Sequence, residues 1–174
     1  MYRIGQGFDI HQLQLAQEYF MIYQQHKSLW LGGIKINDSP YIAIGHSDAD
    51  CLLHAIIDAL LGALSLGDIG QHFSDQDPKY KDVSSSLLLN MVYQKVVNLN
   101  YQIVNIDSTI ILESPRLTDF ISTICQNIAN ILQLERDKVS VKAKTHEKLD
   151  SLGQNRAVSA QAIVFLTKNQ KLDL

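Results

Sequence analysis

The sequence is poor in most of the features that would place it in a specialised class. It has 2 cysteines in 174 residues, too few for the disulfide framework of a small secreted domain. Cys51 and Cys125 both fall inside apolar helical patterns, which reads as two reduced core thiols in a cytoplasmic protein. There are 3 prolines, no repeat and no low-complexity stretch, so linker-rich and array architectures are excluded. Lys and Arg number 15 against 18 Asp and Glu, and a net charge of −3 provides no basic field for nucleic acid. A phosphate-rich ligand would need metals, backbone N–H groups or a few placed cations. No apolar run approaches the roughly 20 residues that span a bilayer, so no membrane partner is expected. The opening MYRIGQGFDIH enters a strand-like pattern directly, without a signal or transit peptide. What remains is ordinary globular composition, 46% hydrophobic and 19% charged. It suits one domain over 1–174 with a solvated tail after about 168.

The stretch 45–70, GHSDADCLLHAIIDALLGALSLGDIG, organises the rest. Ser47 with Asp50 fits the Ser-x-x-acid capping box, which predicts a helix from near Asp48. Leu52, Leu53, Ile56, Ile57, Leu60, Leu61 and Leu64 form its core stripe. Asp50 and His54 lie one turn apart on one face. His46, Ser47, Asp48, Asp50 and His54 thus gather at one helix N-terminus, where free N–H groups favour an anion. Taken singly, Ser47 and Asp48 read equally well as caps and His54 as a buried core histidine.

Elsewhere, 2–10 reads as a strand in which Gly5 and Gly7 mark a bulge or a close backbone approach. Residues 12–27 read as a variable loop with a helical turn. Residues 29–36 (LWLGGIKI) form a second strand broken at Gly32-Gly33, and 41–45 leads into the central helix. Asp75 and Asp77 fit turn positions. Asp82 or Ser84 caps a helix to about 98. Residues 101–112 form a β-branched strand with an irregularity at Asp107. Ser114-Pro115 marks the start of a helix over 116–132. Strands at 139–143 and 158–166 flank a polar loop, 144–155. The order β, β, α, α, β, α, β, β predicts an α+β fold, a single mixed sheet with helices packed on one face. The other face then needs a cover, which a partner subunit would supply.

Asp9 and His11 point to one side at the end of their strand. With His54 they make a two-nitrogen, one-oxygen set. Three protein ligands with a fourth position open is the pattern of a catalytic zinc site. Glu147 offers a ligand for a second, harder cation such as Mg²⁺, shared with phosphate oxygens. The chain lacks any Ser-His-Asp or Cys-His arrangement that would carry nucleophilic catalysis.

RIGQGFDIHQL, HSDADCLLHAIIDALLGALSLGDIGQHFSDQDP, STIILESPRL and VKAKTHEKLDSLG together resemble the 2-C-methyl-D-erythritol 2,4-cyclodiphosphate synthase family of the non-mevalonate isoprenoid pathway, over nearly the whole chain. The resemblance implies a lyase that cyclises 4-diphosphocytidyl-2-C-methyl-D-erythritol 2-phosphate and releases CMP. It implies a homotrimer with active sites between subunits. Zn²⁺ is expected on Asp9, His11 and His54, and Mg²⁺ or Mn²⁺ on the diphosphate near Glu147. His46, Ser47 and Asp50 fall where the family contacts the methylerythritol phosphate. Asp68, Ile69, Gly70, Phe73, Asp75 and Asp77 fall where it holds the erythritol and its 2-phosphate. Leu112, Pro115, Arg116 and Leu117 match the cytidine pocket, contributed by the neighbouring subunit. Thr145 matches the threonine on the nucleotide phosphates. Lys144 replaces a common threonine and adds a cation there. Ser151 and Gln154 stand where relatives carry a Phe and an Arg lining an isoprenoid-phosphate cavity on the trimer axis; Arg156 is close by. The alternatives are a non-catalytic trimeric binder of nucleotide or isoprenoid phosphates and a zinc phosphohydrolase.

Overall fold

Alternation of side chains along the first strand decides which residues meet the core. The computed structural model describes residues 1–74, 76–80 and 83–169. In it β1 runs Tyr2–Leu15, and its odd-numbered residues from Arg3 to Leu13 turn inward. Among the described residues, a five-stranded sheet has the order β4-β1-β7-β5-β6, where β4 is Tyr41–Ile44, β5 Tyr101–Ile111, β6 Val139–Lys144 and β7 Ala157–Lys168. Only β5 and β6 pair in parallel; the other neighbours are antiparallel. The α+β class with a mixed sheet is therefore as expected.

Three helices build the covered face. The central helix α2, Cys51–Ala63, packs on β1 and β7, α4, Ser85–Asn98, lies beside α2, and α5, Ile121–Ile131, packs on β6. The predicted core stripe of α2 is buried throughout. The helix reaches β1 closely because Gly5 and Gly7 oppose Ala55, Ala59 and Ala63. A Cβ at Gly7 would collide with the Ala55 carbonyl, and one at Gly5 with that of Ala59. The two glycines are thus a close backbone approach, and they bring the end of β1 against the start of α2.

The opposite sheet face is apolar and open. Ile4 is 72% exposed, Phe8 and Ile10 48%, and Ile163 of β7 51%, against a typical surface on which large apolar residues are scattered singly.

Several boundaries differ from expectation, each for a local reason. β1 continues through Leu15 because Gln12–Leu15 pair with β4, and residues 16–23 form helix α1, Ala16–Tyr23, with none of its residues buried. Residues 29–36 form a small hairpin, β2 (Trp30–Leu31) and β3 (Ile34–Lys35), separate from the main sheet. Its turn uses Gly32 and Gly33 at φ +63° and +73°, where a side chain is disfavoured. The central helix begins at Cys51, since Ala49 is left-handed (φ +56°) and cannot continue a helix from Asp48. Helix α5 begins at Ile121, after a turn in which Leu117 O accepts from the Phe120 and Ile121 N–H groups. The irregularity in β5 lies between Ile103 and Asn105, upstream of Asp107. Short helices α3 (Ile69–His72) and α6 (Asp150–Gly153) occupy the expected turn and loop. Of the two expected caps for α4, Ser84 serves; Asp82 lies outside the described residues.

Candidate active site

The capping box placed Ser47 at the helix start; the structure gives that position to Asp50. Its carboxylate accepts from Leu53 N at 3.1 Å, Gly32 N at 2.9 Å and Gly33 N at 2.6 Å. Burial raises the Asp50 carboxyl, and the three backbone N–H bonds oppose that shift. Asp50 is fully buried, so it ties the β2–β3 turn to α2 and does not face the cleft, contrary to its expected place among the phosphate contacts. Ser47 Oγ instead accepts from Ala49 N at 3.2 Å.

With α2 pinned in this way, His54 in its first turn projects onto the end of β1. Asp9 Oδ2 lies 3.0 Å from His11 Nε2 and 3.0 Å from His54 Nδ1, and the two ring nitrogens are 3.1 Å apart. Asp9, His11 and His54 are a group able to hold a metal ion. Burial pushes the Asp9 carboxyl up, but hydrogen bonds and charge from His11 and His54 outweigh this and hold it well below the usual carboxylate range. Burial pushes the His54 imidazole down, and the Asp9 carboxylate more than offsets it. The triangle of two nitrogens and an oxygen would admit an ion at about 2 Å from each atom. The donor set thus fits zinc by size and ligand type.

That position opens into a cleft of about 380 Å³ lined by Asp9, His11, His46, Ser47, His54, Ile69, Gly70, Phe73, Tyr80 and Leu88. Of the expected substrate residues, His46, Ser47, Ile69, Gly70 and Phe73 are therefore brought together here. Asp68 caps α3, accepting from Gln71 N at 3.0 Å, and so orients Ile69 and Gly70. Asp77 is paired with Lys79 at 2.7 Å and is not part of the cleft lining. Asp75 lies outside the described residues.

A second cleft, about 440 Å³, is lined by Leu112, Glu113, Pro115, Arg116, Leu117, Thr118, Ile121, Ala143, Lys144 and Thr145. It shares no lining residue with the first. Leu112, Pro115, Arg116, Leu117, Lys144 and Thr145 meet here as a group. Thr145 Oγ1 donates to Glu147 Oε1 at 3.0 Å, and Glu147 is held at φ +51°, a sparsely populated conformation for a residue with a side chain. Both clefts lie toward the same end of the sheet. Ile10 and Ile111 are each opposite Ser159, so the two strands that lead into the clefts stand two strand spacings apart, about 10 Å.

Comparison with known proteins decides what this arrangement belongs to. The family model described as the YgbB family matches residues 2–167. The chain belongs to the YgbB family. Among curated members, the 2-C-methyl-D-erythritol 2,4-cyclodiphosphate synthase of Geobacillus sp. (strain WCH70) is 46% identical over 170 residues, covering 97% of this chain and 99% of that one. Among solved structures, the bifunctional IspDF of Campylobacter jejuni matches at TM-score 0.88 and 34% identity, over 98% of this chain and 43% of that longer one. IspF of Plasmodium falciparum, in complex with CDP, matches at TM-score 0.81 and 34% identity over 97% of both chains. The resemblance drawn from the sequence is thereby upheld.

Sequence reasoning passed over three residues that position this YgbB-family site. Asp58, one turn beyond His54, accepts from Ile69 N at 2.7 Å and sets the α3 turn. Glu113 accepts from His146 N at 3.2 Å and from Lys148 N at 3.4 Å, which shapes the loop carrying Glu147. Ser85 bonds to His54 Nε2 at 2.8 Å. A carboxylate or serine that acts on distant backbone or on a ring nitrogen leaves no local pattern; only Asp58, spaced four from His54 on a helix, was within reach of periodicity. Among the described residues, no helix is long and apolar enough to cross a membrane.

Proposed function

We propose that this chain catalyses the cyclisation of 4-diphosphocytidyl-2-C-methyl-D-erythritol 2-phosphate to 2-C-methyl-D-erythritol 2,4-cyclodiphosphate with release of CMP. The observation that carries the proposal is the convergence of Asp9, His11 and His54 from β1 and α2 on one point facing an open cleft. The names borne by its 42–46% identical relatives support the same reading.

The cyclisation is an intramolecular displacement at phosphorus. Its nucleophile is already a phosphate anion and its leaving group a stable phosphate, so little acid–base chemistry is required. The obstacle is bringing two negative phosphates into line. Asp9, His11 and His54 would hold a Zn²⁺ and Glu147 a Mg²⁺ or Mn²⁺, which when bound would supply charge neutralisation and orient the β-phosphate. His46 and Ser47 contact the methylerythritol phosphate, while Ile69, Gly70 and Phe73, aligned by Asp68, hold the erythritol and its 2-phosphate. Leu112, Pro115, Arg116 and Leu117 hold the cytidine, and Lys144 and Thr145 meet the diphosphate. Gripping both ends of a flexible substrate removes much of the orientational entropy cost of ring closure.

The enzyme acts as a single-domain homotrimer in the cytoplasm. Two features support the assembly. The sheet face carrying Ile4, Phe8, Ile10 and Ile163 is bare in one subunit. The metal-facing cleft and the nucleotide cleft are separate in one subunit, so a neighbour can bring the second cleft to the first. Ser151 and Gln154 leave an axial cavity without the Phe and Arg of relatives; Arg156 reaches Ser151 Oγ at 3.2 Å and leaves a cation near that position. A binding-only protein is not favoured by the retention of every metal ligand and of Ser47, Thr145 and Glu147. Product analysis tests the proposal: zinc-loaded protein given the substrate yields the cyclic diphosphate and CMP in equal amounts. A linear phosphate, or no product, would overturn it.

A further inference from the structure

His54 has a second ring nitrogen, and its surroundings decide how the first one can act. We propose that Ser85 and Asp48 are positioning residues that fix the tautomer of His54 and so set the metal affinity of the Asp9, His11 and His54 group. The inference rests on the metal reading above and deepens it.

The argument is one of counting protons. Ser85 is fully buried. Its hydroxyl carries one hydrogen, and that hydrogen goes to Asp48 Oδ1. Asp48 Oδ2 also accepts from Ser85 N at 2.9 Å, and Oδ1 accepts from Asp50 N at 3.3 Å. With its own hydrogen committed, Ser85 Oγ can only accept from His54 Nε2, 2.8 Å away. His54 therefore carries a proton on Nε2. Its other nitrogen, Nδ1, is the atom that lies 3.0 Å from Asp9 Oδ2 and 3.1 Å from His11 Nε2, and in the neutral ring it presents a lone pair to the metal position. Ser47 Oγ is the other neighbour of Nε2, farther off at 3.2 Å and already accepting from Ala49 N. The order carboxylate, hydroxyl, imidazole, metal extends the usual carboxylate–imidazole pairing of metal sites by one hydroxyl. It also anchors the ligand to α4, an element that supplies no ligand of its own.

The test measures zinc affinity by chelator competition in the full-length protein, together with the ring nitrogen signals of zinc-loaded protein by NMR. Ser85→Ala is expected to weaken zinc binding about 10- to 100-fold, Asp48→Asn to weaken it in the same direction, and Ser85→Thr, which keeps the hydroxyl, to restore it. The zinc-loaded wild type is expected to show a slowly exchanging His54 Nε2 proton that Ser85→Ala loses. If Ser85→Ala does not fold, Asp48→Asn and the wild-type ring spectrum decide. Unchanged zinc affinity in the folded variants, or a His54 ring protonated on Nδ1, would overturn the proposal. Asp9→Asn serves as the separate control. If that variant keeps full zinc affinity, the ligand assignment fails, whatever Ser85 does.

Discussion

The two clefts differ in how they are held. Around the metal position, β1, α2 and α4 lock together: His54, Asp50 and Ser85 are buried, and each polar group is matched to a partner. At the nucleotide cleft, Thr145 and Glu147 are exposed on a loop in which Glu147, Lys148 and Asp150 all take positive φ, steadied from one side by Glu113. The contrast suggests a division of labour. The first cleft fixes a geometry that tolerates no drift, because an ion must find three atoms at once. The second, on the proposed reading, would receive a nucleotide through contacts completed only with substrate and a neighbouring subunit in place.

Substitutions sharpen that contrast. The largest effect is expected from His54→Ala, which should remove zinc and lower turnover about 10³-fold or more, corresponding to several kcal/mol of lost charge stabilisation, while the protein remains folded. Zinc content by elemental analysis, beside a CMP-release assay, checks this; full activity without zinc would contradict the ligand assignment. Gly7→Ala comes next. Its Cβ would meet the Ala55 carbonyl and the Ala59 N–H, so β1 and α2 must separate, at an expected cost of about 3 kcal/mol measured by urea denaturation. Zinc binding should weaken with it, since the same contact spaces Asp9 from His54. Glu147→Gln should have the smallest effect, about tenfold in turnover, or ~1.4 kcal/mol. It should raise the concentration of Mg²⁺ or Mn²⁺ needed for half-maximal rate and leave zinc content unchanged. Loss of zinc in Glu147→Gln would mean that the two clefts are not independently built.

The same contrast explains what could be read from sequence. The grouping of Asp9, His11 and His54 and the core stripe of α2 were legible because strand and helix periodicities each dictate a face, and the glycines at 5 and 7 marked where two backbones meet. The start of α2 was misjudged because Ser47 and Asp50 are both good caps, and the choice between them was made by Ala49's backbone and by amides from a distant hairpin. Strand β4 was missed because four residues, YIAI, are too few to show a period. Helix α1 buries nothing, so it carries no apolar stripe to detect. The start of α5 was misplaced because Pro115 satisfies the helix-start pattern wherever a turn is possible, and the residues after it form bends and turns before the first regular helical turn at Ile121. The role of Ser85 depended on a contact across 31 residues, and three consecutive serines give no local clue as to which one turns inward.

Between Gly7 and Ala55 no side chain intervenes, so the distance between the two backbones that carry the Asp9, His11 and His54 socket is set by main-chain contact, and only the side-chain torsions of these three residues are left to adjust. Such a socket is ready before its occupant arrives. Capture should then proceed with little rearrangement, and an ion of the wrong radius would be refused by stiff walls instead of being accommodated by flexible ones.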